Sequence, residues 1–305
     1  MNERIIVLGG CGYIGTTLVP LLLQRGYIVT VLDNLMYGQS VLHHCYANPR
    51  FNAERVDIRD IDQVAFHMKG ADIIIPLAGL VGAPICNQRP AEAVEINLNA
   101  QLGIIAHASR DQRIIAPTTE SSYGSNAEVC NEETVLNPLS TYALHKVQVE
   151  QALMEHGKAC SLRLATVFGF SEKMRLDLLV NDFTWRALRD RAFVVFEGQY
   201  RRTCVHVQDV ARAFVHALEG ELQGIYNVGA CTMTKLSLCE EIAKQVPGFI
   251  YTEAPMDKDP DQRNYEVTMA KIAATGFAPA WTLQAGIAEL LKGYRMLQGY
   301  RHRNA

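Results

Sequence analysis

Gly9-Gly10-Cys11-Gly12-Tyr13-Ile14-Gly15 is the stretch that decides the fold. The apolar run Ile5-Ile6-Val7-Leu8 leads into it, and an amphipathic run over 16–25 leads out. The order reads as strand, glycine turn, helix. Such a turn places helix-terminal N–H groups and the positive end of the helix dipole where a pyrophosphate can sit. A second apolar run, Tyr27-Ile28-Val29-Thr30-Val31-Leu32, follows at βαβ spacing and closes on Asp33-Asn34. Alone, Asp33 would read as a turn residue. After this turn, an acid about twenty residues on accepts the hydroxyls of an adenosine ribose and repels a 2′-phosphate, so NAD is expected over NADP. Gly10-x-Gly12-x-x-Gly15 overlaps Gly9-x-x-Gly12-x-x-Gly15, both in the strand-to-helix context this mechanism needs.

The totals bound the rest. The 305 residues allow about two domains. With 49% hydrophobic and 20% charged residues, the chain has the makings of a globular protein with a good core. A formal net charge of -3 carries no basic signature, so no nucleic acid partner is expected. No apolar run approaches the roughly 20 residues of a membrane helix, and 5–8 is too short for a signal peptide. No membrane partner is therefore expected. The eight cysteines form no CxxC pair and read as buried free thiols of a reducing cytoplasm, with no metal site.

Further along, a strand over 51–56 ends in Asp57-Ile58-Arg59-Asp60. Asp60 suits a helix N-cap, and Asp57 suits a strand-end position facing the adenine. Ala71-Asp72-Ile73-Ile74-Ile75-Pro76-Leu77-Ala78-Gly79 is a buried parallel strand running into small residues, which let a cofactor approach the backbone. The loop Leu80-Val81-Gly82-Ala83-Pro84 should cross the mouth of that site. A helix is expected over 90–110. Either Asn97 or Asn99 within it bonds nearby backbone, or both are exposed. The strand 113–117 ends in Thr118-Thr119-Glu120-Ser121-Ser122-Tyr123-Gly124. Hydroxyls and an acid at a strand's carboxyl end lie where open α/β sheets bind ligands. A turn-rich stretch follows, through 138.

Tyr142 and Lys146 lie one helical turn apart and share a face. A free tyrosine is a poor base at neutral pH. An adjacent ammonium and a positive nicotinamide ring would stabilise its phenolate. In isolation the pair would be an ordinary surface i,i+4 contact; after the glycine turn and the hydroxyl-rich strand end it reads as catalytic. A strand over 160–167 follows. From Ser171 the character changes, and 174–183 is expected to open a helix of a second domain. Strands are expected at 193–196, 204–207 and 225–228, and helices at 210–219, 235–245 and 283–298. Arg201, Arg202, His206 and Arg263 are either solvated charges or cations converging on a diphosphate.

Taken together, these segments resemble an extended short-chain dehydrogenase/reductase acting on nucleotide sugars. The resemblance rests on the glycine turn, Asp33, Asp57-Ile58-Arg59-Asp60, Leu77-Ala78-Gly79, Tyr142 with Lys146, and Arg202-Thr203-Cys204-Val205-His206-Val207. It implies an α/β fold: a Rossmann doubly wound parallel sheet over 1–168 and a smaller C-terminal α/β substrate domain over 169–305. A return of the chain to the first domain near 204–230 is left open. It implies a cofactor site of Gly9, Gly12, Tyr13, Ile14, Gly15, Asp33, Asn34, Asp57, Ile58, Leu77, Ala78 and Gly79, with Tyr142 and Lys146 at the nicotinamide end. It also implies that Thr119, which precedes Tyr123-Gly124, bonds the sugar hydroxyl that Tyr142 deprotonates. Arg202 and Arg263 match the family's pyrophosphate-side arginines.

A narrower resemblance runs through 71–84, 162–169, 174–183 and 259–263, which are similar to bacterial GDP-heptose 4-dehydrogenases of capsule biosynthesis. Family 4,6-dehydratases carry an Asp-Glu pair after the threonine. Here Glu120-Ser121 lacks the second acid, and nucleotide-sugar decarboxylases also keep a glutamate at the Ser121 position. Thr166 stands where many relatives have asparagine.

The expected activity is NAD-dependent oxidation at C4 of a nucleotide-diphosphate sugar, GDP-heptose, to a 4-keto sugar. The sugar is expected to meet Val81, Gly82, Glu120, Ser121, Arg175, Asn181, Arg202 and Arg263. A C4 epimerase uses the same apparatus and stays open, as does a dehydratase using Glu120. A non-catalytic NAD-sensing protein would be expected to lose the Tyr/Lys pair. A cytoplasmic homodimer, formed through long nucleotide-domain helices, is the expected assembly.

Overall fold

The computed structural model describes residues 3–254 and 264–297. Its centre is a seven-stranded sheet in the order Gly224–Val228, Ala159–Leu164, Arg113–Thr119, Ile73–Pro76, Arg4–Leu8, Ile28–Asp33, Phe51–Arg55. Every pairing is parallel. The strand order reverses between Arg4–Leu8 and Ile73–Pro76. That reversal opens a crevice at the carboxyl ends of the two strands.

Side-chain alternation along the first strand covers both sheet faces. Ile5 and Val7 pack with Leu18, Leu22, Val210 and Phe214 of the helices Gly15–Gln24 and Val207–Glu219. Ile6 and Leu8 pack on the other face with Val64, Ile104, Val149 and Leu153. Asp60 caps the Ile61–Met68 helix through the Gln63 amide at 3.2 Å, as its spacing suggests. A second core gathers Phe168, Phe183, Leu238 and Ile287, with the helices Leu179–Arg189, Lys235–Ala243 and Leu283–Tyr294 around it. Among the described residues, no helix is long and apolar enough to cross a membrane.

Several elements differ from the sequence expectation. The strand expected over 160–167 divides. Ala159–Leu164 stays in the central sheet, while Thr166–Phe168 joins a three-stranded sheet with Arg201–His206 and Cys231–Thr234. The helix expected at 90–110 runs without a break over 90–107 and contains a π turn at Glu95–Asn99, between Pro90–Val94 and Ala100–His107. The segment 174–178 is not helical: Arg175 turns back onto Asp177 and onto the Val81 carbonyl, and the helix begins at Leu179. The stretch read as turns holds the strand Ser125–Cys130, paired in parallel with Asn264–Val267. That partner lies far along the chain, so no local pattern announces it.

A buried polar network ties the Arg113–Thr119 strand to its neighbours. Glu150, on the Thr141–His156 helix, accepts from Thr118 at 3.0 Å, Ser161 at 2.7 Å and Arg163 at 2.5 Å. Arg163 also donates to the Tyr123 hydroxyl, which donates on to Asn227. Both members of the ion pair are almost wholly buried. Breaking such a pair leaves an uncompensated charge in the core. Glu150→Ala should therefore cost about 3–5 kcal/mol in urea unfolding; a loss within the range of a surface substitution would reject this role.

Candidate active site

One cleft lies at the strand reversal. Its wall includes Gly9, Gly12, Tyr13, Ile14, Gly15, Asp33, Asn34, Asp57, Ile58, Leu77, Ala78 and Gly79 at one end, and Thr119, Tyr142 and Lys146 at the other. Every residue expected at the cofactor from sequence lies on this wall. Of those expected at the sugar, Val81, Gly82, Ser121 and Arg175 line it too.

The turn is built on backbone contact. Gly9 has φ +80°, and a Cβ added there would meet the Ala78 backbone at 2.6 Å. A Cβ on Gly15 would meet the Gly10 carbonyl oxygen at 2.3 Å. Glycine is therefore required where the turn packs on itself and on the 77–79 strand end. Ile14 stands at the N-cap of the Gly15–Gln24 helix and caps it with no side-chain hydrogen bond. The Thr16 and Thr17 N–H groups bond the Gly12 and Ile14 carbonyls at 3.0 and 3.1 Å, and the positive end of the helix dipole at the cleft favours an anionic ligand.

Asp33 closes the turn from the neighbouring strand. One carboxylate oxygen accepts from the Cys11 amide at 3.0 Å, and the other from the Leu35 amide at 2.8 Å. Burial raises its pKa against the lowering effect of those two amides. The oxygens keep lone pairs for a ribose diol. Asp57 accepts from Asn34 at 3.0 Å and pairs with Arg59 at 2.6 Å. The Arg59 hydrogen bonds hold its carboxyl well below the usual carboxylate range. This donor set fits a dinucleotide: an uncapped helix start for the diphosphate, an acid for the ribose, and small residues at 77–79 for close approach.

Lys146 is 5% exposed and donates to the Pro117 carbonyl at 3.1 Å. Burial lowers its pKa to about 8, with a smaller opposing effect from Cys86. Tyr142, one turn earlier, is also buried on this wall. Thr119 caps the short helical turn Glu120–Tyr123 by accepting from the Ser121 amide at 3.1 Å, and its hydroxyl meets the Ser121 hydroxyl at 2.7 Å. Behind them, Asn97 resolves the choice between the two helix asparagines. It bonds both the N–H and the carbonyl of Leu80 at 2.8 Å, whereas Asn99 bonds the exposed Glu95. The π turn aims Asn97 inward, an arrangement often found beside functional sites.

Three residues expected at the sugar lie elsewhere. Asn181 is wholly buried behind the cleft, because its amide is spent on the Tyr13 hydroxyl, the Gly169 N–H and the Arg175 carbonyl. Glu120 is also wholly buried, off the cleft wall, since the capped turn points it into the interior. Arg202 is 3% exposed and donates to the Arg201 carbonyl. Arg263 lies outside the described residues. Tyr37, Gln39, Lys173 and Tyr265 line the cleft without having been singled out from sequence. No motif carries them; they arrive from a loop and from the C-terminal half.

Two outcomes follow from this geometry. Asp33→Ser should weaken NAD roughly 10- to 100-fold, the size of a lost charge-assisted hydrogen bond, and narrow the preference for NAD over NADP. Titration calorimetry with both dinucleotides checks it, and an unchanged ratio would reject the ribose role. For Lys146, the folded-state pKa lies below the ordinary lysine value. Between about 8 and that value the unfolded chain holds a proton that the folded chain lacks, so this group's contribution to stability rises with pH across the window. Moving from about pH 7.5 to about pH 9.5 should favour wild type over Lys146→Met by about 1–2 kcal/mol. Urea unfolding at the two pH values reads the difference; parallel behaviour would contradict it.

The comparisons with known proteins agree with this geometry. The chain is 27% identical over 310 residues to UDP-glucuronic acid decarboxylase 2 of Arabidopsis thaliana, covering 96% of this chain and 68% of that one. It is 29% identical over 318 residues to the dTDP-glucose 4,6-dehydratase of Streptomyces niveus, covering 96% and 93%. The NAD complex of the Thermus thermophilus UDP-glucose 4-epimerase superposes with a TM-score of 0.82 at 27% identity, covering 96% of this chain and 99% of that one. Residues 5–229 match a single family over a span that contains the glycine turn, Asp33, Thr119, Tyr142 and Lys146, and the chain belongs to that family, the NAD dependent epimerase/dehydratase family.

Proposed function

We propose that this protein oxidises the C4 hydroxyl of a nucleotide-activated sugar, a GDP-linked heptose, to the 4-keto sugar. The observation that carries the reading is the meeting of Thr119, Tyr142 and Lys146 on one cleft wall with the dinucleotide-fitting end. Tyr142 takes the proton from the C4 hydroxyl. The buried Lys146 ammonium, held at the Pro117 carbonyl, stabilises the phenolate that makes this possible. Thr119 has a hydroxyl fixed by the Ser121 amide and orients the reacting hydroxyl. Bound NAD supplies the hydride acceptor at the same carbon.

The heptose assignment is supported by where the distinctive segments fall. Val81 and Gly82 from 71–84, Leu164 to Val167 from 162–169, and Arg175 and Leu178 from 174–183 all face the cleft. Arg175 is anchored to Asp177 and to the Val81 carbonyl, which stiffens that wall against the sugar. We further propose a homodimer through the helices around 90–107 and 141–156, and place the reaction in capsule polysaccharide biosynthesis.

A second reading is C4 epimerisation, in which the ketone turns in the site and is reduced in place. It is favoured by the likeness to an NAD-bound UDP-glucose 4-epimerase over nearly the whole chain. Elimination through Glu120 has less support, because that carboxylate is wholly buried off the cleft wall.

The test is incubation with GDP-heptose and NAD, with UDP-glucose and UDP-glucuronate in parallel, followed by mass spectrometry and NMR. Loss of two hydrogens from GDP-heptose is expected. Unchanged mass with a new stereoisomer would instead establish the epimerase, and loss of water or carbon dioxide would establish a dehydratase or decarboxylase. Tyr142→Phe should lower turnover by about 10²- to 10⁴-fold while NAD still binds; retained turnover would remove Tyr142 as the base.

A further inference from the structure

We propose that Lys173, with the Tyr37 hydroxyl beside it, holds the cofactor diphosphate from the C-terminal half of the chain and closes a clasp over the glycine turn. The inference rests on the family's NAD and not on the choice of sugar.

Position carries the proposal. Ser171 donates to the Tyr13 carbonyl at 2.8 Å, and its hydroxyl meets the Thr16 hydroxyl at 2.7 Å. Glu172 accepts from the Leu42 amide at 2.8 Å and lies 3.2 Å from His44 Nδ1. The chain just before Lys173 is therefore pinned to the glycine turn on one side and to the loop after Asp33 on the other. Lys173 Nζ then sits 4.6 Å from the centroid of the Tyr37 ring. The Tyr37 amide donates to Gln39 Oε1 at 3.1 Å, and Gln39 Nε2 reaches back to the Cys11 carbonyl at 3.4 Å. Both supports of Lys173 thus end on residues 11–13, the turn whose helix end suits a diphosphate.

Charge points the same way. Among the described residues, the cations on the cleft wall are Lys146, Lys173 and Arg175. Lys146 is held at Pro117, Arg175 is paired with Asp177, and Lys173 Nζ lies 3.5 Å from the Met174 carbonyl, a neutral acceptor. Helix-end N–H groups supply only about half a positive charge to a doubly negative diphosphate. Lys173, on the wall of the same cleft, carries a whole one. Burial and the neighbouring Arg175 lower its pKa, a cost that an adjacent anion offsets. The Tyr37 hydroxyl is buried with no hydrogen-bond partner among the described residues, and Tyr37 lines the same cleft. A phenol left so is a donor awaiting an acceptor oxygen.

A diphosphate also occurs in a nucleotide sugar, so the test separates the two sources. The full-length protein, stripped of dinucleotide, is titrated calorimetrically with NAD, ADP-ribose, adenosine, UDP and GDP. Lys173→Met should weaken NAD and ADP-ribose about 10- to 30-fold, flatten the ionic-strength dependence of NAD binding, and leave adenosine unchanged. Lys173→Arg should stay within about threefold of wild type, and Tyr37→Phe should weaken NAD about 3- to 10-fold. Unchanged NAD affinity in Lys173→Met overturns the proposal. So does an equal loss for adenosine, which would mark a structural role, or a loss confined to UDP and GDP, which would assign the cation to the substrate. If Lys173→Met does not fold, Lys173→Gln carries the same comparison.

Discussion

The close approach of two backbones at the sheet's reversal is the constraint on which the rest of the molecule depends. At Gly9 the turn presses on Ala78 with no space for a side chain, and at Gly15 it presses on its own Gly10 carbonyl. This packing turns the Gly15–Gln24 helix so that its uncapped start faces the crevice. A methyl group at either position would force the packed backbones apart and shift the start of the helix. Asp33 then completes the geometry by accepting the Cys11 amide across the neighbouring strand.

The two halves of the chain are joined through the same turn. The Tyr13 hydroxyl donates to the Gly169 carbonyl at 2.7 Å and accepts from Asn181 at 3.2 Å. Burial raises the Tyr13 pKa, so it remains a neutral donor. Ser171 reaches the Tyr13 carbonyl from just beyond Gly169. A residue of the glycine turn thus also anchors the segment that opens the C-terminal half. Changes on one side of the cleft are felt at the other because they share hydrogen bonds, each costly to break in a buried setting.

The reactive end is organised by burial. Lys146 is taken out of water, and its hydrogen bond to a strand-end carbonyl keeps the ammonium close to the Tyr142 helix face. In low dielectric its influence on a neighbouring phenol exceeds what the same pair would show on an exposed helix. The Glu150–Arg163 network lies behind the adjacent strand and holds Thr118 in register, which in turn sets Thr119 at the strand's end. The placement of Thr119 on the cleft wall and the buried polar network therefore rest on the same strand.

Much of this was legible in the sequence because it is local. Strand, glycine turn, helix and a following acid each depend on neighbours a few residues away, so Gly9 to Gly15, Asp33, and Tyr142 with Lys146 could be assigned from spacing and chemistry. The inward Asn97 was half legible: its position beside Asn99 was visible, but the π turn that aims it was not. Other features depended on chain segments far apart. Asn181 was expected at the sugar, yet tertiary packing spends it on Tyr13 and Gly169. Glu120 was expected there too, yet it is wholly buried off the cleft wall in the packed structure. Lys173 and Tyr37 meet only because Ser171 and Gln39 both reach back to the glycine turn. The sequence by itself determined the glycine turn with its following acid and the shared face of Tyr142 and Lys146, since glycine conformations and i,i+4 faces are short-range properties. Only the tertiary structure decided which polar side chains enter the cleft and which become its buried supports, because that depends on hydrogen bonds between segments more than a hundred residues apart.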